Sequence, residues 1–180
     1  MCGGKGTRLD SGIEKPLFEV GGVAMIDRVL AALDGSRVGS VHPVVSPHAP
    51  ATREHLADRP YIDAPGEGYV ADLEFALAEG RVETPVLTVA ADLPLLDPGV
   101  VNTVLGVHEA GSLAVCVPAS LKRDLGVSVD TTFEREGREL APTGVNVVGE
   151  DRDETYVTED RRLAVNVNRT RDAAVAEAWL

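Results

Sequence analysis

Lysine is scarce in this 180-residue chain: only Lys5, Lys15 and Lys122 are lysines, and the other basic residues are arginines. Acidic residues outnumber basic ones by 29 to 17, which gives a formal net charge of −12. Nucleic acids and anionic membranes attract surplus positive charge, so this balance argues against both as partners. Acid-rich, lysine-poor surfaces are also typical of halophile proteins, because molar salt screens charge repulsion beyond about 3 Å. We therefore expect higher stability in molar KCl than at low salt.

Cysteine and long apolar runs are also rare. The only thiols are Cys2 and Cys116, and no Cys/His spacing is that of a zinc site. No apolar run approaches the roughly 20 residues that span a bilayer, and no signal peptide precedes the glycine-rich start. These features predict reduced thiols, no structural metal and a cytoplasmic location.

The chain does contain an alternation of strand and helix patterns. Nearly unbroken apolar runs, typical of strands buried on both faces of a parallel sheet, occur at 85–91 and 113–117. Apolar residues recur at helical spacing in 24–33, 69–79 and 98–109. The alternation predicts one α/β domain over residues 1–180, with a mostly parallel central sheet and helices on both faces.

Two later segments have weaker patterns. Residues 124–139 are polar and irregular, and we interpret them as an exposed excursion with a hairpin. Residues 163–168 alternate apolar residues with asparagine, which predicts a strand, and a terminal helix then opens at Thr170 or Asp172.

The amino-terminal loop carries the most specific pattern. Its three glycines leave the backbone bare enough to wrap round a ligand and to adopt positive φ. Successive amide groups in such a turn form a concave anion site, and lysine and arginine add donors for phosphate oxygens. We predict that the loop holds a triphosphate. Its residues are Gly3, Gly4, Lys5, Gly6, Thr7 and Arg8.

Two familiar phosphate loops do not match this pattern. The P-loop requires Gly-Lys followed by Ser or Thr, and the dinucleotide fingerprint requires a glycine where Leu9 stands. The remaining interpretations are a nucleotidyltransferase loop, Gly-Gly-x-Gly-Thr-Arg with a later lysine, and a flexible glycine-rich terminus. The density of basic groups favours the nucleotidyltransferase loop.

Lys15 and Asp92 are the predicted catalytic partners of the loop. Pro16 biases Lys15 toward an extended backbone, from which it could reach an α-phosphate and stabilise charge that develops during transfer. Asp92 ends the most apolar strand, where ligands bind in open α/β sheets, and could hold Mg²⁺. The alternatives are a surface lysine and a helix cap, although Asp97, followed by Pro98, is better placed as the cap.

Three asparagines, Asn146, Asn166 and Asn168, interrupt apolar segments. Asparagine is disfavoured in strands, and a buried amide needs hydrogen-bond partners. Strand alternation would place Asn166 and Asn168 on one face. They could bind phosphate, ribose or metal, or satisfy a loop, and the sequence leaves these alternatives open.

The loop begins at residue 3, whereas the phosphate loop of a doubly wound sheet follows a central strand. We therefore expect either about five residues of strand ahead of Met1 in the natural chain or another segment in that place. The intact mass of the native protein decides between them, because a mass that matches Met1 rejects the first.

Several blocks of the sequence resemble the archaeal adenosylcobinamide-phosphate guanylyltransferases, within the molybdopterin-guanylyltransferase-like nucleotidyltransferases. The blocks follow the family order from residue 3 nearly to the end, and the first and fourth are the more specific. They are 3–8, 14–17, 46–50, 63–69, 91–93, 142–148 and 166–168.

The resemblance implies a Rossmann-like nucleotidyltransferase fold and transfer of GMP from GTP to adenosylcobinamide phosphate, with release of pyrophosphate. Carried over by position, Lys15, Arg8 and Asp92 would be catalytic, and Asp92 with Asn168 would hold Mg²⁺. The metal requirement stays open because Asn168 stands where many relatives have a second carboxylate. The residues implied to surround the nucleotide are Gly3, Gly4, Lys5, Gly6, Thr7, Arg8, Ser46, Pro47, Asp63, Gly68, Gly144 and Asn146.

A separate hypothesis is that Asp63 selects the base. One carboxylate can accept hydrogen bonds from N1–H and N2–H of guanine together, a pattern that adenine lacks. The competing functions are guanylyl transfer to molybdopterin or to phospholactate, and a nucleotide-binding regulatory module without chemistry. The presence of both Lys15 and Asp92 argues against the module. The sequence leaves the oligomeric state open, a homodimer included.

Overall fold

The computed structural model describes residues 1–2, 9, 12–150 and 152–180. The predicted triphosphate loop, residues 3–8, lies outside this part of the chain, so its role stays a prediction. The helices, α1 to α7, are Met25–Asp34, Pro50–His55, Tyr69–Ala78, Pro98–Val107, Ala119–Asp124, Arg161–Ala164 and Thr170–Glu177. The strands, β1 to β9, are Glu19–Val20, Val23–Ala24, Val44–Val45, Ile62–Asp63, Val86–Val89, Ser112–Pro118, Phe133–Arg135, Arg138–Val148 and Asp153–Val157.

Local sequence accounts for the start of α4. The Asp97 carboxylate accepts a hydrogen bond of 2.9 Å from the backbone N–H of Val100, which satisfies one of the free donors at the helix end. Pro98 occupies the first helical position, where a missing N–H costs nothing. The prediction that Asp97 rather than Asp92 caps this helix is confirmed, and Asp92 is left available for the site.

The predicted α/β class is confirmed, but the central sheet is mixed rather than mostly parallel. Its five strands include the path β5-β8-β6-β9, with β7 paired to β8. Strand β8 runs antiparallel to both β5 and β6, whereas β6 and β9 are parallel. Between β6 and β8 the chain forms the six-residue helix α5 and then the β7–β8 hairpin, so β8 enters the sheet as the second arm of an antiparallel hairpin.

Helices lie on both faces of the two-stranded β3–β4 sheet, which is separate from the five-stranded sheet. In β3, Val44 packs in a cluster with Ala76 of α3, while its neighbour Val45 packs with Ile26 and Leu30 of α1. Successive side chains of a strand point to opposite faces, so α1 and α3 lie on opposite sides. Helix α4 joins α1 in the largest apolar cluster, which packs against β5, β6 and β8 of the five-stranded sheet.

Met1 and Cys2 lie between β3 and β5. The Met1 amino group donates to the carbonyl of Val89 at 2.9 Å, and the N–H of Cys2 donates to the carbonyl of Val44 at 2.9 Å. Next to them lies a cavity of about 550 Å³, lined from 37–44, from 85–89 and by side chains of α1 and α3. The expected strand ahead of Met1 stays a prediction.

The predicted strand at 163–168 is wrong. Residues Arg161–Ala164 form the short helix α6, because the Asp160 carboxylate accepts from the N–H of Arg162 and starts a helical turn. The remainder, 165–168, belongs to no strand; the N–H of Val167 donates to the backbone carbonyl of Asp92 at 2.9 Å. The segment is thereby held against the end of the strand that carries Asp92.

Two smaller expectations concern the thiols and the membrane. Cys2 and Cys116 are both free and buried, and burial raises the pKa of the Cys116 thiol. Among the helices within the described residues, none is long and apolar enough to cross a bilayer.

Candidate active site

A cleft of about 340 Å³ opens where β5 ends. It brings the end of the amino-terminal segment, the 3-10 turn Lys15–Leu17 and the start of α3 together with Asp92. In an open α/β sheet, ligands bind outside the carboxyl ends of the strands, which is this location. The lining residues are Met1, Cys2, Lys15, Pro16, Gly68, Tyr69, Asp72, Ala90, Ala91 and Asp92.

Lys15 connects the two residues that the sequence assigns to metal binding. Its ammonium lies 2.5 Å from Asp92 Oδ2 and 2.6 Å from Asn168 Oδ1. The lysine and aspartate side chains are 19% and 15% exposed, so the pair is shielded but reaches solvent. The structure therefore brings these three predicted residues to one point.

The same two oxygens fit a magnesium ion. Asp92 Oδ2 and Asn168 Oδ1 converge on a single cationic nitrogen, and carboxylate and amide oxygens are the hard donors that Mg²⁺ prefers. Mg²⁺ keeps several waters and is commonly bound by one or two protein oxygens plus substrate phosphates. Within the described residues, no group of three His, Cys, Asp or Glu side chains forms a dedicated metal cage.

Behind Asp92 lies a second layer of polar contacts. Asn166 Nδ2 donates to Asp92 Oδ1 at 3.0 Å and to the carbonyl of Thr143 at 2.8 Å. The Lys122 ammonium donates to Asn166 Oδ1 at 2.9 Å and to the carbonyl of Ala164 at 2.6 Å. Of the alternatives left open for Asn166, the structure shows a hydrogen-bonded position behind the carboxylate.

Asn168 is held in place by a buried carboxylate. Asp172 Oδ2 accepts from the backbone N–H groups of Asn168 at 3.0 Å and Arg169 at 2.9 Å. Its other oxygen accepts from the N–H and the hydroxyl of Ser128. Asp172 is completely buried and satisfied on both oxygens, which a buried charge requires. The first turn of α7 thus fixes the residue that contacts Lys15.

A loop before α3 forms another wall of the cleft. The buried Asp72 carboxylate accepts from the N–H of Gly66 at 2.8 Å and of Glu67 at 3.2 Å. Gly66 has φ of 78°, and a Cβ there would lie 3.0 Å from Pro47 and 3.1 Å from Ser46. This close approach joins the predicted nucleotide residues Ser46 and Pro47 to the loop that ends at Gly68.

The other predicted nucleotide residues lie further round the site. Asp63 ends β4, is largely exposed and forms an ion pair with Arg53 through one carboxylate oxygen. Gly144 has φ of 84°, and a Cβ there would approach the Ala90 side chain at 2.8 Å, behind the cleft wall. Asn146 follows on β8, where its carbonyl accepts from the Thr88 hydroxyl at 3.3 Å. Neither Asp63 nor Asn146 lines the cleft around Lys15.

A family model described as the MobA-like NTP transferase domain matches residues 1–136 of this chain. The chain belongs to this family. It is a nucleotidyltransferase, and the predicted enzyme class is confirmed.

Individual relatives agree with this assignment. The chain is 32% identical to the adenosylcobinamide-phosphate guanylyltransferase of Methanocaldococcus jannaschii, in an alignment that covers 100% of this chain and 95% of that protein. The predicted resemblance is therefore confirmed. Among solved structures, a hypothetical transferase from Thermus thermophilus superimposes with a TM-score of 0.68 at 18% identity, covering 90% of this chain and 91% of that one.

A second solved structure, like the first, supports the fold alone. The inositol-1-phosphate CTP transferase of T. maritima superimposes with a TM-score of 0.59 at 19% identity, covering 83% of this chain and 68% of that chain. The nucleotidyltransferase fold predicted from the resemblance is thereby confirmed.

Sequence reasoning missed three residues of the site. Asp72 and Tyr69 line the cleft, and the Tyr69 hydroxyl lies 2.7 Å from the Thr88 hydroxyl, but their helix showed only an apolar stripe. Lys122 lies behind Asp92, and its one signal was the rarity of lysine in the chain.

Glu14 precedes Lys15 and binds the start of α2. Its carboxylate accepts from the N–H of Ala51 at 2.8 Å and from the N–H and hydroxyl of Thr52 at 2.7 and 2.6 Å, at the start of α2. Although burial opposes it, hydrogen bonding from Thr52 and Ala51 holds the pKa of Glu14 below its ordinary value. Glu14 thus fastens α2 to the segment that carries Lys15.

Proposed function

We propose that this MobA-like nucleotidyltransferase transfers GMP from GTP to adenosylcobinamide phosphate, giving adenosylcobinamide-GDP and pyrophosphate. The observation that carries the proposal is the convergence of Lys15, Asp92 and Asn168 at one cleft, in a chain that aligns over its whole length with a relative named for this reaction. The proposed nucleotide residues Gly3, Gly4, Lys5, Gly6, Thr7 and Arg8 enter through the sequence pattern alone.

In the proposed step, an oxygen of the acceptor phosphate forms a bond to the α-phosphorus of GTP. The bond from that phosphorus to the bridging oxygen breaks, and pyrophosphate leaves with the electron pair. Lys15 stabilises the charge on the α-phosphoryl oxygens, since a fixed ammonium in a shielded cleft acts more strongly than one in water. Its partial exposure allows it to exchange the oxygens of Asp92 and Asn168 for phosphate oxygens.

Mg²⁺ held by Asp92 and Asn168 would neutralise triphosphate charge that otherwise repels an anionic nucleophile. Chelation by EDTA should then stop pyrophosphate release, and added Mg²⁺ should restore it. Full activity in EDTA would remove the metal from the proposal.

The proposal is tested with purified protein, GTP and adenosylcobinamide phosphate, with pyrophosphate release followed over time. We expect that pyrophosphate release requires both substrates. Its rate should fall sharply when ATP replaces GTP and in the variant Asp92→Asn. Molybdopterin and phospholactate serve as rival acceptors; release with one of them alone would assign the transfer to that acceptor. Binding of GTP without release under every condition would instead indicate a regulatory module.

We also propose that the acidic surface, with its net charge of −12, is adapted to salt. Thermal melts in low salt and in molar KCl test this, with a higher midpoint expected in KCl. A higher midpoint at low salt would contradict it.

A further inference from the structure

Lys122 is the least exposed lysine that the structure describes, at 4%. It lies on the short helix α5, and its ammonium donates to the carbonyl of Ala164 and to Oδ1 of Asn166. Burying an ammonium is costly unless it is well hydrogen-bonded, so a buried lysine needs a reason beyond packing.

The position of Lys122 decides how Asn166 is oriented. An ammonium can only donate, whereas a side-chain amide has one accepting oxygen and one donating nitrogen. With Lys122 on one side, Oδ1 must face it, and Nδ2 must therefore face the opposite side. There it meets two acceptors, Asp92 Oδ1 at 3.0 Å and the carbonyl of Thr143 at 2.8 Å. A flipped amide would put nitrogen against the ammonium and oxygen against the carboxylate.

The orientation of Asn166 in turn fixes the Asp92 carboxylate. Oδ1 is held by Asn166, so Oδ2 is the oxygen that contacts Lys15 and faces the cleft. The segment that carries Asn166 also holds the backbone of Asp92, since the carbonyl of Asp92 accepts from the N–H of Val167. A carboxylate held at one oxygen cannot rotate freely about its terminal bond.

We propose that Lys122 is a positioning residue for the transfer reaction, acting through Asn166 to set the rotation of the Asp92 carboxylate. This role rests on the proposed function, in which Asp92 acts at the triphosphate. Lys122 itself touches no reacting atom, so its effect appears in turnover rather than in nucleotide binding.

The first test is kinetic. Lys122→Met keeps the length and apolar stem but removes the donor, and we expect kcat to fall about 10- to 100-fold, the cost of a misplaced reacting group. The KM for GTP should stay within about threefold, because ground-state contacts are unchanged. Val104→Ala, which truncates a buried side chain of α4 away from the cleft, is the matched control for lost stability and should keep kcat.

A double-mutant cycle separates a relay from an independent effect. Asn166→Ala should lower kcat as Lys122→Met does, and the double variant should be no slower than Asn166→Ala alone. Losses that multiply would overturn the proposal, because residues that act independently contribute additively in free energy. Should Lys122→Met fail to fold, Asn166→Ala alone still decides: an unchanged kcat overturns the role.

A measurement without substrate distinguishes this inference from the proposed function. The side-chain amide of Asn166, observed by NMR, should exchange its protons about tenfold faster in Lys122→Met than in the wild type, as expected for loss of one hydrogen bond. Unchanged exchange would overturn the relay even in an active enzyme. Faster exchange in a protein that releases no pyrophosphate would leave the orienting contact established and refute both the transfer reaction and the catalytic role built on it.

Discussion

Lys15 and Lys122 stand on opposite sides of one carboxylate, and they differ in what surrounds them. The Lys15 side chain is 19% exposed and bridges two oxygens that open onto the cleft. Lys122 is 4% exposed and is bonded to a main-chain carbonyl and to an amide oxygen. Burial lowers the pKa of Lys122, although the carboxylates of Asp92, Asp172 and Asp130 oppose this.

The difference shows how exposure decides what a charged side chain can do. An ammonium that reaches solvent can exchange protein oxygens for phosphate oxygens at little cost, so Lys15 suits a ligand. A buried ammonium cannot change partners without leaving acceptors unpaired, so Lys122 suits a fixed framework. Removal of Lys15 should therefore lower the rate of the reaction, whereas removal of Lys122 should lower both the rate and the stability of the fold.

The largest effect is expected from Lys15→Met. Loss of a preorganised charge at the reacting phosphate should lower kcat by about 10²- to 10³-fold. The melting temperature should change by no more than about 3 °C, because a partly exposed ion pair contributes about 0–1 kcal/mol. Lys15→Arg keeps the charge and is the control. A large drop in melting temperature with normal kcat would reverse the comparison of the two lysines.

Asp63→Asn extends the comparison to a second exposed charge. If the Asp63 carboxylate accepts both N1–H and N2–H of guanine, the preference of kcat/KM for GTP over ATP should fall about 10- to 100-fold. Asp34→Asn is the matched control. Asp34, the last residue of α1, is also exposed and also pairs with an arginine, Arg59. An unchanged nucleotide preference in Asp63→Asn would show that exposure alone does not mark a ligand contact.

Lys122→Met tests the buried half of the comparison through stability. Two buried acceptors, on Ala164 and Asn166, lose their donor, and relief from burying a charge offsets part of that cost. We expect the free energy of unfolding to fall by about 2 kcal/mol, which corresponds to a fall in melting temperature of about 4–8 °C for a chain of this size. Calorimetry of Lys122→Met and Lys15→Met side by side is the measurement, and equal shifts would contradict the distinction.

The smallest effect concerns Glu14, whose carboxylate binds the start of α2. Glu14→Ala should lower the melting temperature by about 2–4 °C at neutral pH, as for loss of a helix cap. Because the pKa of Glu14 is lowered in the folded state, its stabilisation is present above about pH 4.5 and is lost as the pH falls through the folded value. The difference in melting temperature between wild type and Glu14→Ala should therefore disappear in acid. Glu19→Ala, an exposed residue of β1, should show no such gap.

Much of the fold could be predicted because its signals are local. The apolar spacing of α1, the cap formed by Asp97 and Pro98, and the apolar run of β5 each depend on neighbours within a few residues. The hairpin expected in 124–139 is present as β7 and the start of β8. The strand predicted at 163–168 failed because an alternating pattern was outweighed by a helical turn that Asp160 starts.

The candidate site was predicted in part. Asp92 followed from the general rule that strands of an open α/β sheet present ligands at their carboxyl ends, whereas Asn168 was placed beside it only by the resemblance. The role of Asp72 could not be predicted, because its hydrogen bonds run back to Gly66 and Glu67 from within an apolar helix. A polar residue in a helix is ordinarily solvated, and only tertiary burial shows otherwise.

The sequence by itself determined the class of the fold and the glycine-rich start, and it singled out Lys15 and Asp92, since these depend on residue type and short spacing. Only the tertiary structure decided that Lys122 lies behind Asp92, for Lys122 and Asn166 are 44 positions apart and Asn166 and Asp92 are 74 apart. Contacts across such separations depend on how β6, α5 and the 164–168 segment pack together. No pattern within a few residues predicts that packing, so the role of Lys122 could be inferred only from the folded chain.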